Sequence, residues 1–346
     1  MLGLGGSVAT PPEGVTAEVM VVESFEELEG RAAEARGRIV LFDVPYEGYG
    51  KTVRYRVGAA SAAARTGARA ALIRSIASGS MQNPHTGGMR YTDDAPRIPA
   101  AALSIEHAGL LHRLVNRGET VTVRLLMEAE TLPDVPSRNI VAEVPGTHEP
   151  DEIVVLGGHI DSWDVGQGAM DDAGGLMAAW EALSLLVRLN LRPRRTLRLV
   201  GWTNEENGLR GGLGYRDAHR DELSRHVIAM ESDSGFFRPT RMRFGGDARS
   251  MPVVEAIAAL LASGGPFDAA PGGPAADVGP LYREGVPTLS LSAEPTKYFY
   301  YHHSAADAPE VLDPGELAHG VAVLATFAYV LGDIPVRLAG PEPAKD

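Results

Sequence analysis

Histidine, aspartate and glutamate gather in four short blocks of this 346-residue chain: GGHIDSWDVGQGAMDDAGG (157–175), TNEENG (203–208), ESDSG (231–235) and YYHHSAAD (300–307). Imidazoles and carboxylates are the side chains that hold divalent metals and move protons. The chain has no cysteine, so thiolate nucleophiles, disulfides and Cys-ligated zinc are excluded, and any metal must be held by His, Asp and Glu. Taken singly, each candidate has a plainer reading. His159 would be a hydrogen-bonded core residue, and Asp171 and Asp172 a helix cap and a first-turn acid. Glu205 and Glu206 would be the solvated start of a helix, and Asp233 a turn residue. Their placement reverses this, because every block follows a strand-like run: EIVVLGG, TLRLVGWT, HVIAME and PTLSLS in turn.

Those runs belong to a repeating strand, loop, helix pattern. Strands are expected over 138–144, 152–158, 196–203, 226–231 and 287–292. Helices are expected over 173–189, after Glu206, over 251–262 and over 314–331. Strands alternating with helices predict an α/β fold with a mostly parallel sheet and helices on both faces. Active sites of such sheets lie beyond the carboxyl ends of the strands, where all four blocks fall. TLPDVPSR (131–138) breaks the pattern and predicts a boundary between residues 1–134 and 135–346. The first part reads as a smaller α/β domain, with strands over 39–44, 68–75 and 121–128 and helices over 53–64 and 105–116. Gly157, Gly158, Gly166 and Gly168 are expected to let the donor loop bend. TKYFYYHH (296–303) either walls a substrate pocket or packs as core. No Gly-rich phosphate loop stands at a strand-to-helix turn.

The charge balance favours a metal pair. Three carboxylates, two neutral imidazoles and one hydroxide neutralise two divalent ions, whereas three clustered carboxylates without metal would repel and take up protons. Mixed imidazole and carboxylate ligands suit zinc better than magnesium or calcium, which prefer oxygen shells.

HIDSWDVGQGAMDD, WTNEENGLRGG, ESDSG and YYHHSAAD resemble the metal-binding blocks of the co-catalytic two-zinc aminopeptidases and carboxypeptidases, and the likeness extends through MLGLG, TPPEG and PHTG over nearly the whole chain. The resemblance implies the zinc exopeptidase fold (135–346) with a protease-associated-like domain before it (1–134). It implies two Zn2+ per chain, with Asp171 bridging, His159 and Asp233 completing one site, and Glu206 and His303 the other. His303 is preferred to His302 because it stands four residues before Asp307, and because neighbours on an extended segment face opposite ways. Glu205 would be the general base, acting on a metal-bridging water. Asp161, in His-x-Asp, would orient the His159 ring. The residues themselves agree: adjacent acids can point one carboxylate at a metal and the other at its water, and two metals about 3.5–4 Å apart can clamp the oxygens of a hydrolysis. Gly174 stands where related aminopeptidases often carry Ser.

The resemblance thus implies hydrolysis of short peptides, dipeptides foremost, with cleavage from the amino or the carboxyl end left open. Two rivals use related scaffolds, a single-zinc glutaminyl cyclase and a non-catalytic receptor-like protein. The sequence retains all five ligands and the base, which either rival would lose in part. A formal charge of -13 argues against nucleic acid as a partner. No run of 18 or more apolar residues predicts a membrane span. The family resembled implies a homodimer and a secreted or periplasmic location. It also carries a further segment before MLGLG, so the start is expected to be truncated. MLGLGGSVATPPEGV has no charged region followed by an apolar stretch, as a signal peptide would.

Overall fold

The structure, a computed structural model, describes residues 1–79 and 81–342. The chain forms two compact units. The first is Met1–Val135 with Phe299–Ala306, and the second is Pro136–Tyr298 with the chain from Asp307 onward.

The first unit is built on a six-stranded sheet: β1 (Leu2–Gly3), β2 (Val15–Val22), β3 (Ile39–Phe42), β4 (Ala70–Arg74), β5 (Ala100–Leu103) and β6 (Thr122–Leu125), in the order β1-β5-β4-β3-β2-β6. β2 to β5 run parallel, and β1 and β6 are antiparallel edges. Its helices are α1 (Phe25–Gly30), α2 (Ala32–Ala35), α3 (Tyr49–Arg65) and α4 (Ile105–Asn116). Strand side chains alternate between faces. Val40, Phe42, Ala71 and Ile73 join Tyr55, Ala59, Ala60 and Ala63 of α3 on one side. Ile39, Leu41, Ala70 and Leu72 join Ala108 of α4 on the other. Both faces are covered, so β3 is buried at every residue.

Phe299–Ala306 belongs to this unit through specific contacts. Phe299 stacks on Tyr49 with ring centroids 5.2 Å apart, and His302 meets the same tyrosine edge-on at 5.1 Å. The Thr86 N–H donates to the His303 carbonyl at 2.9 Å. The His85 Nδ1–H donates to the His302 carbonyl at 2.6 Å.

The second unit holds a seven-stranded sheet: β7 (Ile140–Val144), β8 (Glu149–His159), β9 (Arg195–Trp202), β10 (His226–Glu231), β11 (Pro239–Gly245), β12 (Asp268–Pro271) and β13 (Thr288–Ala293). The order is β12-β11-β13-β10-β8-β9-β7. β9, β8, β10 and β13 are parallel, as the repeating pattern predicts. β7 and β11 pair antiparallel with β9 and β13 respectively. The helices are α5 (Gly174–Arg188), α6 (Arg210–Ala218), α7 (Met251–Ala259), α8 (Gly279–Arg283), α9 (Tyr298–Tyr301), which begins the excursion into the first unit, and α10 (Pro314–Asp333). α10 starts cleanly because the Asp313 carboxylate accepts the N–H groups of Gly315 and Glu316, with Pro314 at the first helical position. Among the described residues it alone has the length and apolarity to cross a membrane. Half of that stretch is buried, and it packs on α5, β8 and β9 as a core helix does.

Candidate active site

The parallel strands end together, β8 at His159, β9 at Trp202, β10 at Glu231 and β13 at Ala293. His159 is 1 % exposed. Its Nδ1–H donates to the Asp161 main-chain carbonyl at 2.7 Å, which leaves Nε2 to offer a lone pair. Nε2 lies 3.1 Å from Asp171 Oδ1 and 3.8 Å from Asp233 Oδ1. The three residues offer ligand atoms that all lie within 4.8 Å of one another. Zinc ligands stand about 2.0–2.2 Å from the ion in a tetrahedron, so neighbouring donors are about 3.4 Å apart and this trio fits a single metal. The charge fits too. Burial opposes a positive His159 ring, but its bonds to Asp171 and Asp233 outweigh burial and push its pKa up. The same negative field favours a bound cation.

Asp161 acts differently from the sequence expectation. Its carboxylate stays 3.9 Å from His159 Nδ1. The main-chain carbonyl orients the ring instead, and the carboxylate accepts the N–H groups of Glu205 at 3.0 Å and Glu206 at 3.3 Å. Asp161 therefore ties the loop after β8 to the loop after β9. The turn into Glu205 is made by Asn204 in the left-handed region (φ 60), where Asn is strained less than most residues. Glu206 Oε2 accepts the Trp163 Nε1–H at 2.6 Å. At Glu205, burial, helped by the charge of Asp233, pushes the pKa up to about 8.

Asp171 and Asp172 sit in an irregular buried turn before α5 and are joined by a cis peptide bond. The buried Asp172 carboxylate accepts the His159 N–H at 3.3 Å, and burial holds its pKa well above the usual carboxylate range. Gly158 and Gly175 leave it room, since a Cβ at either would come within 2.2 or 2.3 Å of its oxygens. This corrects the expectation for the glycines. Gly157 and Gly158 lie inside β8 and serve close packing, while Gly168 (φ 64) takes the left-handed turn.

Sequence reasoning missed a buried acid pair beside this cluster. Glu231 ends β10, and its carboxylate accepts the N–H groups of Asp277 at 3.3 Å and Val278 at 3.1 Å. Asp277 is fully buried, and burial raises its pKa to about 7. Glu231 had a signal, an acid closing an apolar strand. Asp277 lies in the Gly- and Pro-rich PGGPAADVG and had none. Trp163 was also missed.

His302 and His303 lie in the segment that groups with the first unit. They do not sit on an extended stretch, contrary to the sequence expectation. His303 has φ 59, and the two rings stack with centroids 3.6 Å apart. His303 Nδ1 faces the Thr86 carbonyl and the buried Arg56 guanidinium, each at 3.3 Å.

Residues 139–328 match the model of Peptidase family M28. Carboxypeptidase Q of Pongo abelii is 47 % identical over 338 residues, covering 98 % of this chain and 72 % of that relative. The chain belongs to peptidase family M28. It is a metallopeptidase by that membership, and the expected α/β fold is borne out. The crystal structure of a Peptidase M28 precursor from Shewanella amazonensis SB2B superposes with a TM-score of 0.94 at 35 % identity, covering 99 % of this chain and 79 % of that one. A zinc aminopeptidase from Bacillus subtilis shares the fold with a TM-score of 0.68 at 20 % identity, over 94 % of this chain and 78 % of that one.

Proposed function

We propose that this M28 peptidase is a two-zinc exopeptidase that hydrolyses short peptides, dipeptides among them. The observation that carries the reading is the convergence of His159, Asp171 and Asp233 donor atoms within 4.8 Å at the end of β8. Names among the relatives agree with it, carboxypeptidase Q for the exopeptidase action and zinc aminopeptidase for the metal. His159, Asp171 and Asp233 would hold one ion. Asp171, Glu206 and His303 would hold the other, the last of these carried over from the resemblance. When bound, the ions supply Lewis acidity for the scissile carbonyl and lower the pKa of water towards about 7.

The remaining chemistry belongs to the chain. Glu205 takes the proton of the attacking water at its carboxylate and returns it to the departing amine nitrogen. Its burial raises its proton affinity, which suits a group that must hold a proton and then release it. Asp161 fixes the backbone under Glu205 and Glu206 through their N–H groups, so the base and its neighbouring ligand keep a constant relation.

Metal content per chain, measured together with dipeptide hydrolysis before and after chelation, tests this. Two zinc ions per chain, activity lost on chelation and regained with zinc, are expected. One ion with cyclisation of amino-terminal glutamine, no ion at all, or full activity in metal-free protein would overturn the reading.

A further inference from the structure

Asp307 takes no part in the chemistry above, yet it is 3 % exposed and aimed at the backbone of the Asp171 loop. One carboxylate oxygen accepts the Met170 N–H at 2.6 Å, and the other accepts the Asp171 N–H at 3.2 Å. Its main-chain carbonyl accepts the Gln167 N–H at 2.7 Å. We propose that Asp307 is a positioning residue that sets Asp171 for metal ligation. The inference rests on the proposed function, in which Asp171 binds both ions.

The backbone explains why such a residue is needed. Asp171 (φ -133, ψ 81) and Asp172 (φ -135, ψ 28) leave helical geometry before α5 begins. Buried amides outside a helix or ladder need an acceptor from elsewhere. A carboxylate can serve two consecutive amides at once, one with each oxygen. Pinning the N–H groups of Met170 and Asp171 fixes the peptide plane from which the Asp171 side chain departs. That side chain places Oδ1 3.1 Å from His159 Nε2, so a small rotation of the plane would take it out of reach of a shared ion. An asparagine at 307 has one acceptor oxygen. Its amide would face the second N–H donor to donor, and the plane would turn.

A second carboxylate in the same unit gives a control. Asp313 also accepts two backbone N–H groups, those of Gly315 and Glu316, but it is an exposed helix cap. Both of those bonds fall on Asp313 Oδ1, so Asp313→Ala is the change that removes them; if Asp307 merely supports the fold, Asp307→Asn and Asp313→Ala should act alike. Zinc affinity of the full chain, measured by competition with a chelating dye, separates the two roles, alongside melting of the metal-free proteins. Asp307→Asn should bind zinc about 10–100-fold more weakly, as loss of a supporting partner around a metal ligand does, while Asp313→Ala keeps wild-type affinity. Should Asp307→Asn fail to fold, Asp307→Glu keeps two acceptor oxygens on a longer stem and should weaken zinc about tenfold. Wild-type affinity in the folded Asp307 variant, or equal weakening in Asp313→Ala, overturns the inference. Asp171→Asn identifies a failure of the underlying reading. If that variant also binds zinc like the wild type, the metal assignment falls and this inference falls with it.

Discussion

Glu205 and Glu206 are chemically identical neighbours that the structure treats differently. Glu206 is tied to the Trp163 indole at 2.6 Å, while Glu205 is set apart by burial and by the charge of Asp233. A base and a ligand should respond to mutation in opposite ways. Glu205→Gln keeps the shape and removes the proton acceptor, so kcat should fall by about 10² or more with two zinc ions still bound per chain. Loss of an ion in that variant would mean the two roles are exchanged. Trp163→Phe removes only the indole donor, and zinc at the Glu206 position should weaken about 10-fold or more. The two histidines need the same separation. Because their rings stack on one another, direction along the chain no longer distinguishes them, and the spacing from His303 to Asp307 remains as the argument. His303→Ala should lose one zinc and nearly all activity. His302→Ala should keep both metals and change mainly KM, and elemental analysis of each variant decides between them.

At the scale of elements, local propensity loses to packing where the site is built. α5 opens with Gly174–Gly175, a poor helix start, since glycine costs about 1 kcal/mol relative to alanine. Gly214 in α6 has open space where a Cβ would stand, with nothing within 4 Å, so Gly214→Ala should follow propensity and stabilise by up to about 1 kcal/mol. Gly175→Ala should reverse the sign. Its Cβ would stand 2.0 Å from the Ser232 carbonyl and 2.3 Å from Asp172 Oδ1, and overpacking against backbone costs about 1–3 kcal/mol or more. Thermal melts of the two variants should move in opposite directions. The same contest decides what can be read from the sequence. Helix 105–116 and strand 226–231 come out as expected because their patterns and boundaries are local. β5 (Ala100–Leu103) is not legible, since an alanine run favours helix and becomes strand only by fitting between β4 and β1. β11 is hidden because Arg241 and Arg243 alternate with buried Met242 and Phe244 and mask its apolar face. The donor blocks are legible because each follows a strand. The grouping of Phe299–Ala306 with the first unit is not, because it depends on partners such as His85 and His302, which are 217 residues apart.

For the whole molecule, acid should act through opposed terms. The chain carries a formal charge of -13 at pH 7, so acidification removes self-repulsion and by that term alone would stabilise the fold. Buried neutral histidines oppose it, His85 in the first unit and His226 in the second. Both have their pKa lowered by burial to about 4. In His226 the bonding pattern also fixes the neutral form. Nδ1–H donates to the Glu222 carbonyl at 3.0 Å, and Nε2 accepts the Tyr215 hydroxyl at 2.9 Å. That hydroxyl oxygen accepts Arg198 Nη1–H at 2.8 Å, which leaves its proton to be donated to His226. A proton on Nε2 would meet a donor. Between pH 6.5 and about 4 the unfolded chain therefore binds a proton that the folded chain refuses, and stability falls as pH falls through this window. One such group is worth roughly 2–3 kcal/mol by pH 4.5, whereas exposed charges are screened beyond about 10 Å and contribute little each. Denaturant titration at pH 7 and 4.5 checks this, using the difference between wild type and His226→Gln so that other titrations, including those of the metal ligands, cancel. The variant should lose roughly 2–3 kcal/mol less than the wild type on acidification. An equal loss in both would place the acid sensitivity elsewhere in the molecule.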